Sequence, residues 1–552
     1  MTPTCNVASW LALRAAEEPH RAAIYAPDGQ DHAGRTRYLR INFQQLHEDS
    51  ERIARGLRAI GVTPGTRCVL MVPPSLDFFA CVFALFKAGA VLVAIDPGIG
   101  LQNFKHCVTQ ARPAVFIGIR KAQLARRLFR WGRGSIQHLV TTDTRDRGRG
   151  SGGRRYGLAE LRRIGTHDDT PLPDTAPASM AAILFTSGST GAPKGAVYSH
   201  ANFDAQLAAL RSLYDIQVGE VDLATFPLFA LYAPALGMTA VVPDMDFTRP
   251  GSVDPERIRE PIEAFGVSNL FGSPALLRRV GLHARQHAWR FDSLKRVVSA
   301  GAPVPVAIHR LWRELLPDQV QVHTPYGATE CLPVASIDSE TVLSQTAADT
   351  ENGAGVCIGT PARNVSVTII GISDEPIASM EEATLLPTGA IGEICVRAAQ
   401  ATARYFEHPT GTAAAKIADG DGFWHRMGDL GHLDAAGRLW FCGRKAHRIR
   451  CRQGELYTVP VEMRVNALAG VYRCALVGVG VPGEQEPVLV VEPETDADVP
   501  AVLARIQDDV ARYGLCEPIA AVLPHPGLPV DIRHNAKIDR PALARWATRK
   551  LS

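Results

Sequence analysis

Apolar residues recur along the chain either at helical spacing or in short runs, and the two patterns alternate. Residues 43–62 carry apolar positions at helical spacing and end near Gly61, which predicts an amphipathic helix. The runs CVLMVP (68–73) and AVLVAI (90–95) predict strands, and FFACVFALFKAG (78–89) predicts a helix between them. A strand, a helix and a strand separated by Gly and Pro predict a parallel sheet covered by helices.

The same alternation returns later in the chain. The runs VSNLFGSP (267–274) and LKRVVSAGAP (294–303) flank a segment with helical spacing, and no internal repeat is found. A chain of 552 residues is too long for one hydrophobic core. We therefore expect at least two domains of the α/β class.

Composition narrows the class of protein without identifying it. Hydrophobic residues make up 46% and charged residues 21%, as in soluble globular enzymes, and a net charge of +3 gives no reason to expect nucleic acid as a partner. The apolar stretch at residues 78–86 is far too short to span a membrane. The N-terminal segment has no signal-peptide features, and the eleven cysteines form no C-x-x-C pair. These features predict a cytoplasmic, reduced protein without a disulfide framework or a zinc site.

One region departs from the average charge. Between Arg120 and Arg163, thirteen lysines and arginines accompany three acidic residues. Within it, TRDRGRGSGGRRYG (144–157) is typical of a loop. Two interpretations of the region stay open. It is either a solvated basic surface, or KAQLARRLFRWG (121–132) is an amphipathic element that binds membrane lipid or a partner protein.

The segment LFTSGSTGAPKGAVYSH (184–200) is the first part of the chain that indicates a binding function. It combines hydroxyl side chains, glycines and one lysine, which suit a phosphate chain because backbone N–H groups, hydroxyls and a cation can all contact its oxygens. The P-loop pattern fails, because Pro193 precedes Lys194 and Gly195 follows it. The segment therefore predicts a nucleotide loop of another kind.

Five further motifs follow in order over nearly four hundred residues. They are SAGAP (299–303), YGATE (326–330), RMGDLGHLD (426–434), GRKAHRIR (443–450) and HNAKIDR (534–540). With the Ser/Thr/Gly loop, they resemble the adenylate-forming superfamily of acyl-CoA synthetases, luciferases and peptide-synthetase adenylation domains, over essentially the whole chain.

The resemblance implies an α/β architecture of two domains, the adenylate-forming enzyme fold. Residues 1–443 would form a large N-terminal domain of packed parallel sheets with a β-rich subdomain. Residues 444–552 would form a small, mobile α+β domain that carries the catalytic lysine.

The resemblance also implies a binding site for ATP. The residues implied to hold its β- and γ-phosphates are Thr186, Ser187, Gly188, Ser189, Thr190 and Lys194. The residues implied to sandwich the adenine are Gly301, Ala302, Pro303 and Tyr326, followed by Gly327. Asp429 would accept hydrogen bonds from both ribose hydroxyls, with Arg444 beside it.

Three residues are implied in catalysis. Thr329 would contact the α-phosphate and the reacting carboxylate, and Glu330 would hold Mg²⁺, which prefers oxygen ligands. Lys537 would neutralise the charge that develops as the phosphoryl group is transferred. The implied reaction joins a carboxylate to AMP and releases pyrophosphate, and the protein contributes mainly positioning and charge.

Three positions depart from the superfamily pattern. Ala446 stands where the hinge aspartate is expected, Ala230 where a histidine is expected and Ala536 where a glycine precedes the lysine. These changes leave adenylation largely intact, but they affect positions on which the domain rotation and the formation of a thioester depend. Gly454 stands where the family lines its pantetheine tunnel, so a thiol acceptor stays open.

Two stretches resemble a narrower group. Residues 226–250 and 528–547 are similar to the β-lactone synthetases of bacterial long-chain olefin biosynthesis. That resemblance implies a 2-alkyl-3-hydroxy fatty acid, activated as its adenylate, whose own β-hydroxyl expels AMP and closes a β-lactone. It also implies a complex with other enzymes of that pathway, an α/β-hydrolase-type lactone decarboxylase and a reductase. An apolar acyl pocket is expected around Phe229, Tyr232 and Met238.

Two alternatives remain. The first is a medium- or long-chain fatty acyl-CoA ligase, and the second is a non-catalytic protein that binds acyl groups or nucleotides. The base that would accept the β-hydroxyl proton is not identified by the sequence. His432, His447 and His534 are candidates by residue type alone.

Overall fold

The computed structural model describes residues 6–143, 154–186, 193–226, 231–530 and 538–552. In chain order, the helices are α1 Val7–Glu17, α2 Phe43–Ala59, α3 Leu76–Lys87, α4 Leu101–Ala111, α5 Arg120–Leu128, α6 Leu158–Thr166, α7 His200–Tyr214, α8 Tyr232–Leu236, α9 Glu256–Phe265, α10 Pro274–Gln286, α11 Val306–Arg313, α12 Ser339–Thr341, α13 Ala347–Glu351, α14 Pro409–Ala415, α15 Thr458–Asn466, α16 Val499–Arg512 and α17 Arg540–Leu551. Short 3-10 turns lie at Pro97–Ile99, Pro250–Ser252 and Lys445–His447, and a π-helical segment lies at Val342–Thr346.

In chain order, the strands are β1 Ala22–Gln30, β2 Thr36–Asn42, β3 Arg67–Met71, β4 Val91–Ala94, β5 Val115–Gly118, β6 His138–Thr141, β7 Arg154–Gly157, β8 Met180–Thr186, β9 Lys194–Ser199, β10 Val221–Ala224, β11 Thr239–Val241, β12 Asn269–Phe271, β13 Arg296–Val298, β14 Gln321–Ala328, β15 Cys331–Asp338, β16 Val356–Cys357, β17 Thr360–Pro361, β18 Ser366–Ile370, β19 Gly392–Arg397, β20 Lys416–Asp419, β21 Gly422–Leu433, β22 Leu439–Arg444, β23 Ile449–Arg450, β24 Glu455–Leu456, β25 Val471–Val479, β26 Glu486–Pro493 and β27 Ala521–Pro524.

The first large sheet confirms the predicted strand, helix and strand. Over the described residues its order is β7-β6-β5-β3-β4-β8-β9, with parallel pairing from β7 to β8 and an antiparallel β9. The loop predicted for residues 144–157 is wrong at its end, because Arg154–Gly157 is edge strand β7. Backbone pairing with β6 outweighs the Arg- and Gly-rich composition there.

The second large sheet follows the order β17-β15-β14-β13-β12-β10-β11-β1-β2 within the described ranges. Pairing is parallel from β14 to β1, which confirms the second predicted unit, β12 and β13 flanking α10. The helices α1, α2, α3 and α7 lie between the two sheets and share one core with their inner faces. Helix α3 is buried at every position from Phe78 to Lys87, as expected of a helix enclosed on all sides.

Each sheet is also covered on its outer face. Helices α9, α10 and α11 pack on the second sheet around Trp312, and α4 and α5 pack on the first around Phe104 and Trp131. Helix α7 begins with a capping box, in which the Ser199 side chain accepts from the backbone of Asn202 and the Asn202 side chain accepts in return. This cap fixes where α7 leaves β9.

A β-rich sheet and a smaller α+β unit complete the chain. The β-rich sheet has the antiparallel order β16-β22-β21-β19-β18, with β20 on β21. After β22 and the turn Lys445–His447 come the pair β23-β24 and the sheet β25-β26-β27, packed with α15, α16 and α17. The domain boundary expected between residues 443 and 444 lies at the end of β22. No helix of the described ranges has the length and hydropathy needed to cross a bilayer.

Candidate functional site

A cavity of about 2860 Å³ lies at the carboxyl ends of the central strands and continues between the two large sheets. The residues that follow β10, β13 and β14 line it, as expected at this edge of a parallel sheet. It also receives every described residue of the expected site other than Thr186: Lys194, Tyr232, Met238, Gly301, Ala302, Pro303, Tyr326, Gly327, Thr329, Glu330, Asp429 and Arg444.

The other expected residues cannot be placed. Ser187, Gly188, Ser189, Thr190, Phe229 and Lys537 lie outside the described residues, as do Ala230, His534 and Ala536. Thr186 ends β8 and is the register partner of Lys194 at the start of β9, so the ends of the predicted nucleotide loop are adjacent. Val530 and Ile538, which flank the segment with Lys537, form a β-bridge and line the cavity.

A tyrosine, an aspartate and an arginine meet at one end of the cavity. The Tyr326 hydroxyl donates a hydrogen bond to Asp429 Oδ2 at 2.7 Å. Asp429 on β21 and Arg444 on β22 are register partners, and Arg444 Nη1 lies 3.0 Å from Asp429 Oδ1. Pairing of β21 with β22 and the position of Tyr326 on β14 thus bring together three motifs that are far apart in the sequence.

The buried carboxylate of Asp429 has a described contact on each oxygen. Its side chain is buried, Oδ2 accepts from Tyr326, and Oδ1 forms an ion pair with Arg444. Burial raises the pKa of Asp429, while Arg444 opposes that shift; Asp429 in turn raises the pKa of Arg444. Each carboxylate oxygen has more than one lone pair, so Asp429 can still accept hydrogen bonds from a ligand with vicinal hydroxyls.

Two glycines shape the backbone on the adenine side of the expected site. Gly301 has φ +99°, a conformation that other residues rarely adopt. A Cβ on Gly327 would lie 2.7 Å from Leu332 Cβ and 2.8 Å from the carbonyl oxygen of Cys331. Both positions therefore favour glycine, Gly301 for its backbone conformation and Gly327 for the close approach of residues 331 and 332.

Glu330 is held by a residue that the sequence did not indicate. The Tyr405 hydroxyl donates to Glu330 Oε1 at 2.6 Å, and Lys194 Nζ lies 5.3 Å from the centroid of the same ring. Tyr405 therefore brings the expected metal ligand and the expected phosphate-binding lysine into one neighbourhood. No periodicity or spacing links ARYFEHP (403–409) to YGATE (326–330), so folding alone joins them.

The described residues contain no group of three or more His, Cys, Asp or Glu side chains suited to a metal. At the expected metal position, Glu330 would provide a single carboxylate. That donor set fits Mg²⁺, which usually takes one or two carboxylates and completes its shell with waters and substrate phosphates.

A buried ion-pair cluster fixes the chain where the two parts of the protein join. Glu393 on β19 pairs with Arg426 at 2.6 Å and with Lys445 at 2.9 Å, and its side chain is 1% exposed. Just beyond Ala446, Arg448 pairs with Asp374 at 2.8 Å. Ion pairs on both sides thus hold the segment around the expected hinge position.

The opposite end of the cavity is apolar. Met238 is buried, and Tyr232 lies at the start of α8. The aromatic and aliphatic side chains that line this end come mainly from α3, α7 and α8: Phe78, Val82, Phe83, Phe86, Phe203, Leu210 and Leu236. Such a surface is suited to hydrocarbon chains.

The described histidine candidates are poor bases. His432 stacks on Trp440 with a centroid distance of 5.9 Å and is not among the residues that line the cavity. His447 lines the cavity, but burial, with Arg540 and Arg444 nearby, lowers its pKa to about 3. A group with so low a pKa is a weak proton acceptor near neutral pH.

Comparison with known proteins agrees with this geometry. The family model described as AMP-binding enzyme matches residues 11–406. Olefin beta-lactone synthetase of Stenotrophomonas maltophilia (strain K279a) is 47% identical, covering 100% of this chain and 99% of that protein. The protein of the same name from Xanthomonas campestris pv. campestris is 46% identical with the same coverage. Among solved structures, the amide bond synthetase McbA from Marinactinospora thermotolerans has a TM-score of 0.78 at 21% identity, covering 98% of this chain and 99% of that chain.

Proposed function

Because the chain belongs to the AMP-binding enzyme family, we propose that it is an ATP-dependent, adenylate-forming β-lactone synthetase of olefin biosynthesis. Its substrate is a 2-alkyl-3-hydroxy fatty acid. The observation that carries the proposal is a single cavity that extends from Tyr326, Asp429 and Arg444 at one end to an apolar surface at the other. In addition, the chain is similar over its full length to two olefin β-lactone synthetases.

The first step makes the acyl-adenylate. A carboxylate oxygen of the acid attacks the α-phosphorus of ATP, and the bond to pyrophosphate breaks. Asp429 binds the ribose through Oδ1, the turn at residues 301–303 and the Tyr326 ring enclose the adenine, and Thr329 positions the carboxylate beside the α-phosphate. Removing the reactants from bulk water and holding them in line lowers the barrier.

The second step closes the lactone. The 3-hydroxyl oxygen attacks the acyl carbon, the bond from that carbon to AMP breaks, and the hydroxyl proton leaves to the departing phosphate or to water. The nucleophile is tethered to the electrophile, and such intramolecular reactions reach effective molarities of about 10⁵ M or more. No second substrate has to enter.

The remaining ATP contacts complete the site. Lys194 and the loop from Thr186 to Thr190 hold the β- and γ-phosphates, and Glu330, oriented by Tyr405, provides the protein ligand for Mg²⁺. When bound, Mg²⁺ neutralises charge on the phosphates. Lys537 on the C-terminal domain, residues 444–552, stabilises the charge on the α-phosphoryl group as it is transferred.

The hinge region supports a reaction without CoA. In this family the hinge residue must absorb a large backbone change, and here it is Ala446 between Lys445 and His447. Lys445, just before the hinge, is tied to the buried Glu393, and Arg448, just after it, pairs with Asp374, an ion pair that rotation about Ala446 would break. A cyclisation that needs no thiol has no use for that rotation.

Helix α5 supports a membrane-side location for the enzyme. Leu124 and Leu128 are 67% and 71% exposed, one helical turn apart, and the exposed side chains around them within residues 120–133 are basic. Ile119 and Ala122, at the start of this helix, line the cavity. We infer that α5 contacts an anionic membrane surface from the cytoplasm, where a long-chain acid substrate would dissolve.

The chemistry of the substrate and the product indicates which enzymes would act before and after this one. A strained β-lactone is consumed by an enzyme that opens or decarboxylates it, such as an α/β-hydrolase-type lactone decarboxylase, and a reductase would supply the 3-hydroxy acid. A complex of these enzymes would limit hydrolysis of the lactone in water.

The reaction is tested by AMP release. With ATP, Mg²⁺ and a 2-alkyl-3-hydroxy acid, we expect steady AMP release at a rate that added CoA does not change. The matched acid without the hydroxyl should stop at enzyme-bound acyl-AMP. Strong acceleration by CoA with either acid would favour the acyl-CoA ligase instead.

A further inference from the structure

Polar side chains form a row across three strands of the second sheet, beside the apolar end of the cavity. Asp222 on β10, Asn269 on β12 and Arg296 on β13 are register partners. The Asn269 amide donates to Asp222 Oδ1, and Arg296 Nη2 donates to Glu220 Oε1 at 3.0 Å. Side chains alternate along a strand, and Leu223 belongs to the outer core of this sheet, so the row faces the space between the two large sheets.

Two members of this row line the cavity. Asp222 is 5% exposed and Asn269 is 7% exposed, and both belong to the cavity lining. The lining side chains from the end of α7 and from the segment before β11 are aliphatic or aromatic: Leu210, Tyr214, Ile216, Leu236 and Met238. Asp222 and Asn269 therefore form a polar floor in a part of the cavity that is otherwise apolar.

The polar floor lies far from the reacting groups. Near the start of α7, the Tyr198 hydroxyl donates to the main-chain oxygen of Thr329, the residue that positions the carboxylate in the proposed reaction. Just after the end of α7, the main-chain oxygen of Asp215 accepts from Arg296 Nη2 at 3.5 Å, next to Asn269 in the sheet. Helix α7 has 15 residues and is therefore about 22 Å long. Two opposed layers of acyl chains make a bilayer core about 30 Å thick, or about 15 Å for each layer, so only a long chain reaches the polar floor.

The Asp222 carboxyl group can form more hydrogen bonds than the protein provides. Within the described ranges its side chain accepts from Asn269 alone, although a carboxylate can accept several hydrogen bonds. Water that enters a polar cavity can supply the others. The end of a hydrocarbon chain would displace such water without replacing its hydrogen bonds, which is unfavourable. An apolar pair of side chains at these two positions would carry no such penalty.

We propose that the polar floor sets the longest acyl chain that the enzyme activates efficiently. The inference rests on the proposed function and deepens it, because it assigns the residues that select chain length. A chain that ends short of the polar floor buries its terminal methyl group against aliphatic and aromatic side chains. A longer chain brings that methyl group against Asp222 and Asn269. The limit on chain length thus comes from the polarity of these side chains, and a polar chain end would relieve it.

The test measures the activation of acids that differ only in the length of one chain. Each acid carries a 3-hydroxyl and a methyl group at carbon 2, so that a single long chain is present, and pyrophosphate release gives kcat/KM at each length. For the wild-type protein we expect kcat/KM to rise to an optimum and then to fall about tenfold over the next few carbons, because buried polar groups lose their hydrogen bonds. A hydroxyl on the terminal carbon of the disfavoured acid should restore kcat/KM to within about threefold of the optimum, since it replaces the displaced water.

An apolar pair in place of the polar floor should remove this selection. Asp222→Leu combined with Asn269→Leu replaces both partners of the hydrogen bond by side chains of similar size, so neither polar group is left unpaired. In this double variant the fall beyond the optimum should shrink to about twofold or less, and the terminal hydroxyl should lower kcat/KM about tenfold. Each comparison is a ratio within one protein, so a general loss of activity does not affect it.

Thr239→Val is the matched control. Thr239 is buried in the neighbouring strand β11, donates to the main-chain oxygen of Ala22 at 2.6 Å and does not line the cavity. Its replacement removes a buried polar group from the same sheet without changing the polar floor. This variant should keep the wild-type dependence on chain length and the wild-type effect of the terminal hydroxyl.

The proposal is overturned if the terminal hydroxyl does not restore activation of the long acid by the wild-type protein, because the limit would then come from volume alone. A double variant that keeps the wild-type dependence on chain length would also overturn it, as would a wild-type protein that uses all lengths equally. These results would leave the proposed function standing. Absence of pyrophosphate release at every chain length would instead contradict the proposed function itself.

Discussion

Replacing Asp429 with alanine should weaken nucleotide binding strongly. Asp429 is buried in the cavity, accepts a hydrogen bond from Tyr326 on Oδ2 and forms an ion pair with Arg444 through Oδ1, and both oxygens keep further lone pairs for a ligand. A ribose with two vicinal hydroxyls would donate to this carboxylate. Asp429→Ala removes both contacts and leaves Arg444 without its ion-pair partner.

The magnitude follows from the number and kind of hydrogen bonds. Two bonds to a charged, buried acceptor are worth roughly 1.5–3 kcal/mol each. Water that enters the space left by the side chain offsets part of the loss. A net change of about 3 kcal/mol remains, which corresponds to a Kd for AMP about 100-fold higher than that of the wild-type protein.

Calorimetric titration with AMP measures this change directly. Asp434→Ala is a matched control, because Asp434 lies just beyond the same strand, pairs with Arg438 at 2.7 Å and does not line the cavity. Its AMP affinity should stay within about twofold of wild type. An unchanged AMP affinity in a folded Asp429→Ala protein would remove Asp429 from the nucleotide site.

Three other predictions follow from separate parts of the molecule. Lys537→Ala should slow pyrophosphate release by roughly 100-fold or more while ATP affinity stays within about twofold, since its charge acts in the transition state; wild-type release rates would refute its role. Burial raises the pKa of Asp222 to about 7. Between about pH 4 and pH 7 the carboxyl group is therefore protonated in the folded state and ionised in the unfolded state, so the free energy of unfolding falls as the pH rises through this range. The free energy of unfolding of Asp222→Asn, relative to that of the wild-type protein, should therefore increase by roughly 1–3 kcal/mol from pH 4 to pH 8, as measured by urea denaturation. The same difference between the two proteins at both pH values would contradict the raised pKa of Asp222. Leu124→Ser with Leu128→Ser should abolish flotation with anionic vesicles, whereas Leu385→Ser, which changes another exposed leucine, should not; equal flotation of both variants would exclude α5 as the contact.

The extent to which the sequence predicts this molecule differs between its parts. Apolar runs bounded by Gly and Pro predict β3, α3 and β4 because burial enforces those patterns locally. The strand at Arg154–Gly157 escapes such reasoning, since its position depends on β6 and not on its own composition.

The site shows the same division. Tyr326, Asp429 and Arg444 stand in motifs, so resemblance alone indicates that they meet. Tyr405, which contacts Glu330 75 residues earlier, has no such signal. Tyr198, whose hydroxyl contacts the main-chain oxygen of Thr329 131 residues later, has none either. Contacts of this kind are set by tertiary packing, which a single sequence does not display.

The central claim is that this protein converts a 2-alkyl-3-hydroxy acid into a β-lactone, and mass analysis of the product tests it most directly. The wild-type protein is incubated with the acid, ATP and Mg²⁺, with and without CoA, and the extracted products are identified. We predict a product equal to the acid less one water, formed in equal amounts in both reactions. An acyl-CoA as the main product, formed only when CoA is present, would contradict the account.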